Sequence, residues 1–265
     1  MSTVIVVSWL HTDDRELVRW LTIDRLERKN AIPFDGWGEL RAAFDAFEAS
    51  GQRVLVVTGA GEEFCAGADL DSSRVDRLQS VEDRHLRMKE VAGAAMALHR
   101  LTKPAIAAVD GVAVGAGLNL ALGCDVVVAT ERARFSEIFV RRGLTMDFGG
   151  SWLLPRIVGM QRAKELALSG RIVEADEAAR IGLVTEVVPV EALERRVTEI
   201  AQGFLAGAPV AQMFAKQTLN ASFQMGLADA LSWEGEAQSV ALGTEDAAEG
   251  LLAFLEKRDP EWKGR

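Results

Sequence analysis

The chain has 265 residues, 49% of them hydrophobic, and a formal net charge of −9 from 39 acidic against 30 basic residues. That length suits one domain or a domain with an appendage, and that much apolar character excludes a disordered chain. The acidic balance argues against nucleic acid as a partner, because a phosphate backbone would be repelled.

Residues 4–10 and 17–23 run apolar on either side of His11, Thr12, Asp13 and Asp14, which predicts an N-terminal hairpin turning at 11–14. No basic segment followed by a complete apolar stretch opens the chain, so no secretory signal is expected and the expected location is cytoplasmic. Trp37, Leu40, Phe44 and Phe47 recur at helical spacing, and Val54 to Val57 reads as a short buried strand.

Residues 71–87 are polar and charged, and Val91, Met96, Leu98 and Leu101 then mark a helix ending before Pro104. Ile106 to Val109 and Val126 to Val128 read as further buried strands. The apolar stretch over 104–129 carries Asp110, Asn119 and Asp125 and several glycines, so no membrane span is expected there. The recurring order of strand, loop, helix and strand predicts right-handed parallel windings.

Beyond Leu153, helices are expected over 162–168, 174–181, 190–204, 210–223 and 227–255, with one short strand at 184–188. The fold class is therefore α/β, with a core over residues 1–200 and a helical region over 201–265.

Two turns carry the most chemical information: Phe64-Cys65-Ala66-Gly67-Ala68-Asp69-Leu70 and Gly111-Val112-Ala113-Val114-Gly115-Ala116-Gly117. Each follows a buried strand, and glycine lets backbone N–H groups approach a ligand closely. Two such turns can aim two donors at one oxygen, the construction of an oxyanion hole.

Other chemistries are excluded. Leu120 stands where the third glycine of G-x-G-x-x-G would be, and G-x-x-x-x-G-K-[ST], H-E-x-x-H and G-x-S-x-G are absent, since Ser151 directly follows Gly149 and Gly150. Cys65 and Cys124 lie in apolar surroundings without C-x-x-C spacing and read as buried free thiols. His11, His85 and His99 are scattered, so no metal ligand set is expected.

The paired turns lie among ordered motifs: Asp24-Arg25-Leu26-Glu27-Arg28-Lys29-Asn30-Ala31, Lys103-Pro104-Ala105-Ile106, Cys124-Asp125, Gly143-Leu144, Asp147-Phe148-Gly149-Gly150-Ser151 and Leu154-Pro155-Arg156-Ile157-Val158-Gly159. With Ala178 to Val184 and the tail 253–258, they make the chain resemble the crotonase, or enoyl-CoA hydratase/isomerase, family along nearly its whole length.

The resemblance implies a ββα spiral with a C-terminal helical trimerisation region, an acyl-CoA thioester as substrate, and a homotrimer or dimer of trimers. It implies no metal or redox cofactor, coenzyme A being part of the substrate. By that resemblance the backbone N–H groups of Ala68 and Ala116 form the oxyanion hole. A coenzyme A groove falls on Arg28, Ala66, Asp69, Leu70 and Gly115, with Phe254 and Lys257 from the tail.

Hydratases of this family carry two glutamates that position water. At the matching places stand Asn119 and Phe139, and neither an amide nor a phenyl ring takes a proton from water. Asp147 instead resembles the lone acid of the isomerase branch, which includes the epoxyphenylacetyl-CoA isomerases. One carboxylate there removes a proton from one carbon and returns it to another, with Asn119 orienting substrate or water.

Asp147 has a competing role as N-cap of a helix starting near Gly150. Glu137 is the rival acid, ranked below Asp147 and read otherwise as a solvated residue at a helix start. Hydration of a 2-enoyl-CoA by Glu137 or Asp147 is the alternative reaction, and a non-catalytic acyl-CoA-binding subunit the alternative from another class.

Overall fold

The computed structural model of the chain describes residues 9–70 and 80–265. Its first hairpin joins β1 (Leu10–Arg15) to β2 (Val18–Ile23), antiparallel, with Leu10 opposite Ile23 and Arg15 opposite Val18. The turn is therefore at Glu16 and Leu17, where Glu16 takes φ 54°, and not at 11–14. His11 to Asp14 belong to β1, an edge strand exposed after Leu10, and an edge tolerates polar side chains that a central strand would not. Residues 4–8 of the expected first strand lie outside the described residues.

Helix α1 (Trp37–Glu48) follows, burying Trp37, Leu40, Phe44 and Phe47, and leads into β3 (Val54–Gly59). Helix α2 (Val81–His99) begins inside the stretch expected to be loop, because Ser80 and Asp83 form a reciprocal capping box that starts it. Then come β4 (Ala105–Val109), β5 (Val112–Val114), α3 (Ala116–Leu122), β6 (Val126–Thr130) and β7 (Arg134–Ser136).

Further on lie α4 (Gly150–Val158), α5 (Met160–Ser169), β8 (Val173–Glu174), α6 (Ala175–Arg180), β9 (Glu186–Val188) and α7 (Leu193–Leu205). Three last helices, α8 (Pro209–Ser222), α9 (Leu227–Leu242) and α10 (Glu245–Glu256), complete the chain. The single helix expected over 227–255 is thus two, because Thr244 caps a new start by accepting from Ala247 N.

Among the described residues six strands form one sheet in the order β1-β2-β3-β4-β6-β9, parallel from β2 onward. The continuous apolar runs of β3 and β4 suit strands covered on both faces. Leu55, Val57 and Ala107 face the main core with Leu40, Phe44, Leu98 and Leu120. Val54, Val56, Ile106 and Ala108 pack instead against Val197 and Ala201 of α7. That helix runs straight through the expected division at residue 200.

A second sheet, β5-β7-β8, was not expected, since strands of two or three residues show no period in a sequence. Its parallel pairing of β5 with β7 matters most, because it brings the start of α3 beside residues 136–138.

Candidate active site

Main-chain bonds tie the two turns together. Cys65 N donates to Val112 O at 2.8 Å and Val114 N to Cys65 O at 3.0 Å. On the other side Ile32 N donates to Gly67 O at 2.8 Å and Asp69 N to Ile32 O at 2.9 Å. These last bonds flank Ala68 and leave its N–H directed away from Ile32, as in any parallel bridge.

Glycine is required by this closeness. A Cβ on Gly67, which holds φ +92°, would lie 2.7 Å from Val114 O and 3.5 Å from Ala116 N, and one on Gly117 would collide with Cys65 O. Ala116 opens α3, so its N–H is one of the donors that has no acceptor within the helix. Among the described residues neither the Ala68 nor the Ala116 N–H is bonded within the protein.

Asn119, fully buried on α3, donates from Nδ2 to Asp147 O at 2.9 Å, and Gly150 N donates to the same carbonyl at 3.0 Å. Asp147 is therefore held by its backbone, and α4 is capped by Gly149 with no side chain bonded there. The N-cap role expected for the Asp147 carboxyl is not realised. Its Oδ1 is buried without a hydrogen-bond partner, and burial pushes its pKa up to about 6.

Glu137 corrects the sequence reading. It is 1% exposed rather than solvated, and both carboxyl oxygens lack partners. Burial first, and then the charge of Asp147, raise its pKa to about 8, while the nearby Asn119 side chain pulls the other way. Asp147 is thus not alone at this place, and Asn119 stands in contact with the electrostatics of both acids. The signal in the sequence was Glu137's position among Phe135, Ile138 and Phe139, an apolar run that carries its neighbours inward.

Phe139 is buried at the place of the expected second glutamate, and its ring lies 3.5 Å from where a Cβ of Gly115 would be. Phe148, strained at φ 48°, was not singled out in the sequence; it packs on Trp37 with ring centroids 5.7 Å apart. With Gly149, Met96, His99, Trp152 and Leu153 it lines a cavity of about 340 Å³ immediately beyond Asp147 in the chain.

The expected coenzyme A residues are only partly gathered. Asp69 is buried and ion-paired with Arg28 at 2.6 Å and Arg25 at 3.1 Å, while Ala66 N donates to Lys29 O at 3.0 Å. Leu70 is exposed beside them, and Gly115 N donates to Ser136 O at 2.8 Å. Phe254 lies exposed on α10 and Lys257 just past its end, and that helix packs on α9 and the last residues of the chain, where Lys263 N and Gly264 N donate to Asp246. Among the described residues neither is bonded to the first turn or to Arg28.

Both cysteines are buried free thiols, with the Cys65 thiol pushed up to about 12 by burial, which makes it inert. Among the described residues no group of three or more His, Cys, Asp or Glu is placed to hold a metal ion, and no helix is long and apolar enough to cross a membrane.

The enoyl-CoA hydratase/isomerase family model matches residues 14–265. The chain belongs to the enoyl-CoA hydratase/isomerase family. A short-chain-enoyl-CoA hydratase of Clostridium acetobutylicum is 38% identical over 245 residues, 91% of this chain and 92% of that one. A 1,2-epoxyphenylacetyl-CoA isomerase of Escherichia coli is 36% identical over 250 residues, 94% and 95% of the two chains. The solved structure of a putative enoyl-CoA hydratase from Streptomyces coelicolor superposes with a TM-score of 0.92 at 34% identity, covering 100% of this chain and 98% of that one. Hydratases and an isomerase thus stand at similar distances, and this family member has the crotonase fold.

Proposed function

We propose that this family member is an acyl-CoA isomerase in which Asp147 is the acid–base group. The thioester oxygen accepts from the N–H groups of Ala68 and Ala116, which lowers the energy of the enolate as a proton leaves the acyl chain; one such donor is worth about 3 kcal/mol of barrier. The Asp147 carboxylate removes a proton, negative charge spreads over the dienolate to the held oxygen, and the proton returns at another carbon. A base ionising near 6 is in the right form at neutral pH yet basic enough to act.

The observation that carries this reading is the half-buried Asp147 carboxyl, whose Oδ1 is enclosed without a partner and whose own backbone carbonyl is tied to Asn119 of the helix that Ala116 opens. Arg28 with the backbone near Ala66 and Leu70 suits the coenzyme A end. Phe254 and Lys257 would reach that end only from another copy of the chain. A homotrimer or dimer of trimers, built through the exposed apolar residues of α9 and α10, would bring them there. The reading needs no metal or redox group, and a cytoplasmic site of action fits it.

Hydration of a 2-enoyl-CoA is the second reading, favoured by the closeness of Glu137 to Asp147, since two carboxyls can position and activate one water. Incubation with paired 2-enoyl- and 3-enoyl-CoA thioesters separates the two by mass and NMR. Unchanged mass with a moved double bond supports isomerisation, and a gain of one water sinks it in favour of hydration. Binding without turnover on that panel would leave a silent acyl-CoA-binding subunit.

A further inference from the structure

Glu137 has no assigned task in the single-acid reaction, yet its placement demands one. It follows Ser136, whose carbonyl accepts from Gly115 N at 2.8 Å, so the pairing of β5 with β7 brings its backbone to the strand end that leads into Ala116. Its side chain is fully enclosed, both oxygens lack partners, and Asn119 Oδ1 and Asp147 Oδ1 near it lack them too. A buried polar atom without a partner is costly, and three side chains sharing that condition at one place mark a surface kept open for a reacting ligand.

We propose that Glu137 is a second acid of this site, and that it and Asp147 hold one proton between them and pass protons to the substrate from two positions. The inference rests on the isomerase reading. Asp147 takes the proton from one carbon, breaking that C–H bond and sending its electron pair into the dienolate. The Glu137 O–H gives its proton to the other carbon, where the pair returns to form the new C–H bond. Glu137 is left as carboxylate and Asp147 as acid, and exchange with solvent restores the start, Asp147 giving its proton to water and Glu137 taking one from water.

The charges around Glu137 favour this division. Asp147 is the charged group acting on it, Asn119 is neutral, and Arg141 on the following turn is exposed and donates to Ser169 O at 2.9 Å. Two carboxyls this close resist ionising together, so the one with the higher pKa keeps the proton at neutral pH.

The test uses the full-length enzyme and an enoyl-CoA deuterated at the carbon that loses its proton, in ordinary water. Wild type is expected to release most of that deuterium, because a different group delivers the new proton. Glu137→Gln, neutral and nearly the same shape, is expected to lose on the order of 10- to 100-fold in turnover. It should retain the substrate's deuterium in its product and lose the fall in rate above pH 8. A wild-type product that keeps the label overturns the inference, even if the variant does not fold; so does a Glu137→Gln enzyme with unaltered label release and pH profile. Asp147→Asn separates the two ideas. If it still removes the deuterium at the wild-type rate, the isomerase reading itself has failed. If it removes none while Glu137→Gln behaves as wild type, only the role of Glu137 is lost.

Discussion

Asp69 and Glu137, both buried, and the half-buried Asp147 are acids treated in opposite ways. Burial alone would raise the pKa of Asp69, but hydrogen bonds from Arg28 and Arg25 outweigh it and hold the carboxyl below its usual range. Glu137 and Asp147 have no arginine beside them, and burial raises both, against only the neutral Asn119 side chain at Glu137. Asp69 is a satisfied brace for the first turn, whereas the other two are left able to exchange protons. Where an acid is buried matters less to chemistry than whether its neighbours have already used its lone pairs.

Replacement of Asp147 by Asn breaks the reactive side of this contrast most severely. Turnover is expected to fall on the order of 10²–10⁴-fold while the melting temperature at neutral pH holds or rises, since the backbone carbonyl and not the carboxyl holds the loop and burial disfavours the charged carboxyl. Steady-state rates and a thermal melt check both halves.

Gly117→Ala attacks the donors instead. Its Cβ would meet Cys65 O and force the turns apart, so turnover should fall on the order of 10²-fold, about 3 kcal/mol, in any variant that still folds. An unchanged rate would mean that the two N–H groups do not act on one oxygen.

Stability against pH sharpens the contrast. A carboxyl whose pKa is higher in the folded state loses stability as pH rises from its unfolded pKa to its folded one. Glu137→Gln should therefore be more stable than wild type by an amount that grows between about pH 4.5 and 8, reaching roughly 2–4 kcal/mol. Denaturant melts at pH 5 and pH 8.5 read it, and equal differences at both would contradict the burial argument.

Asp69→Asn should show the reverse sign. The depressed carboxyl contributes stability above its unfolded pKa and loses it as pH falls through the folded value, so the variant's deficit, about 1–3 kcal/mol at pH 7, should shrink in acid.

Much of the fold was legible because its signals are long. The apolar runs of β3 and β4 and the spacing of Trp37, Leu40, Phe44 and Phe47 need burial to make sense, and they receive it. The hairpin turn was misplaced because polar residues on an edge strand look like a loop. The second sheet was invisible because its strands are shorter than any period. At the site, the paired glycine turns could be read from residues 64–70 and 111–117, and Asp147 from its motif. The apolar run around Glu137 signalled its burial, but its placement beside the start of α3 depends on the pairing of β5 with β7, which no local pattern announces.

The clasp between the two turns uses main-chain atoms and the smallest side chains, with Cys65 bridged to Ala113 and Ile32 to Ala68. Its geometry is consequently indifferent to what stands at positions 119, 137 and 147. Such a scaffold can exchange one reaction for another by substituting a few interior polar side chains, without re-engineering the cradle that receives the carbonyl. That separation gives a physical ground for hydratases and isomerases sharing so much of one architecture.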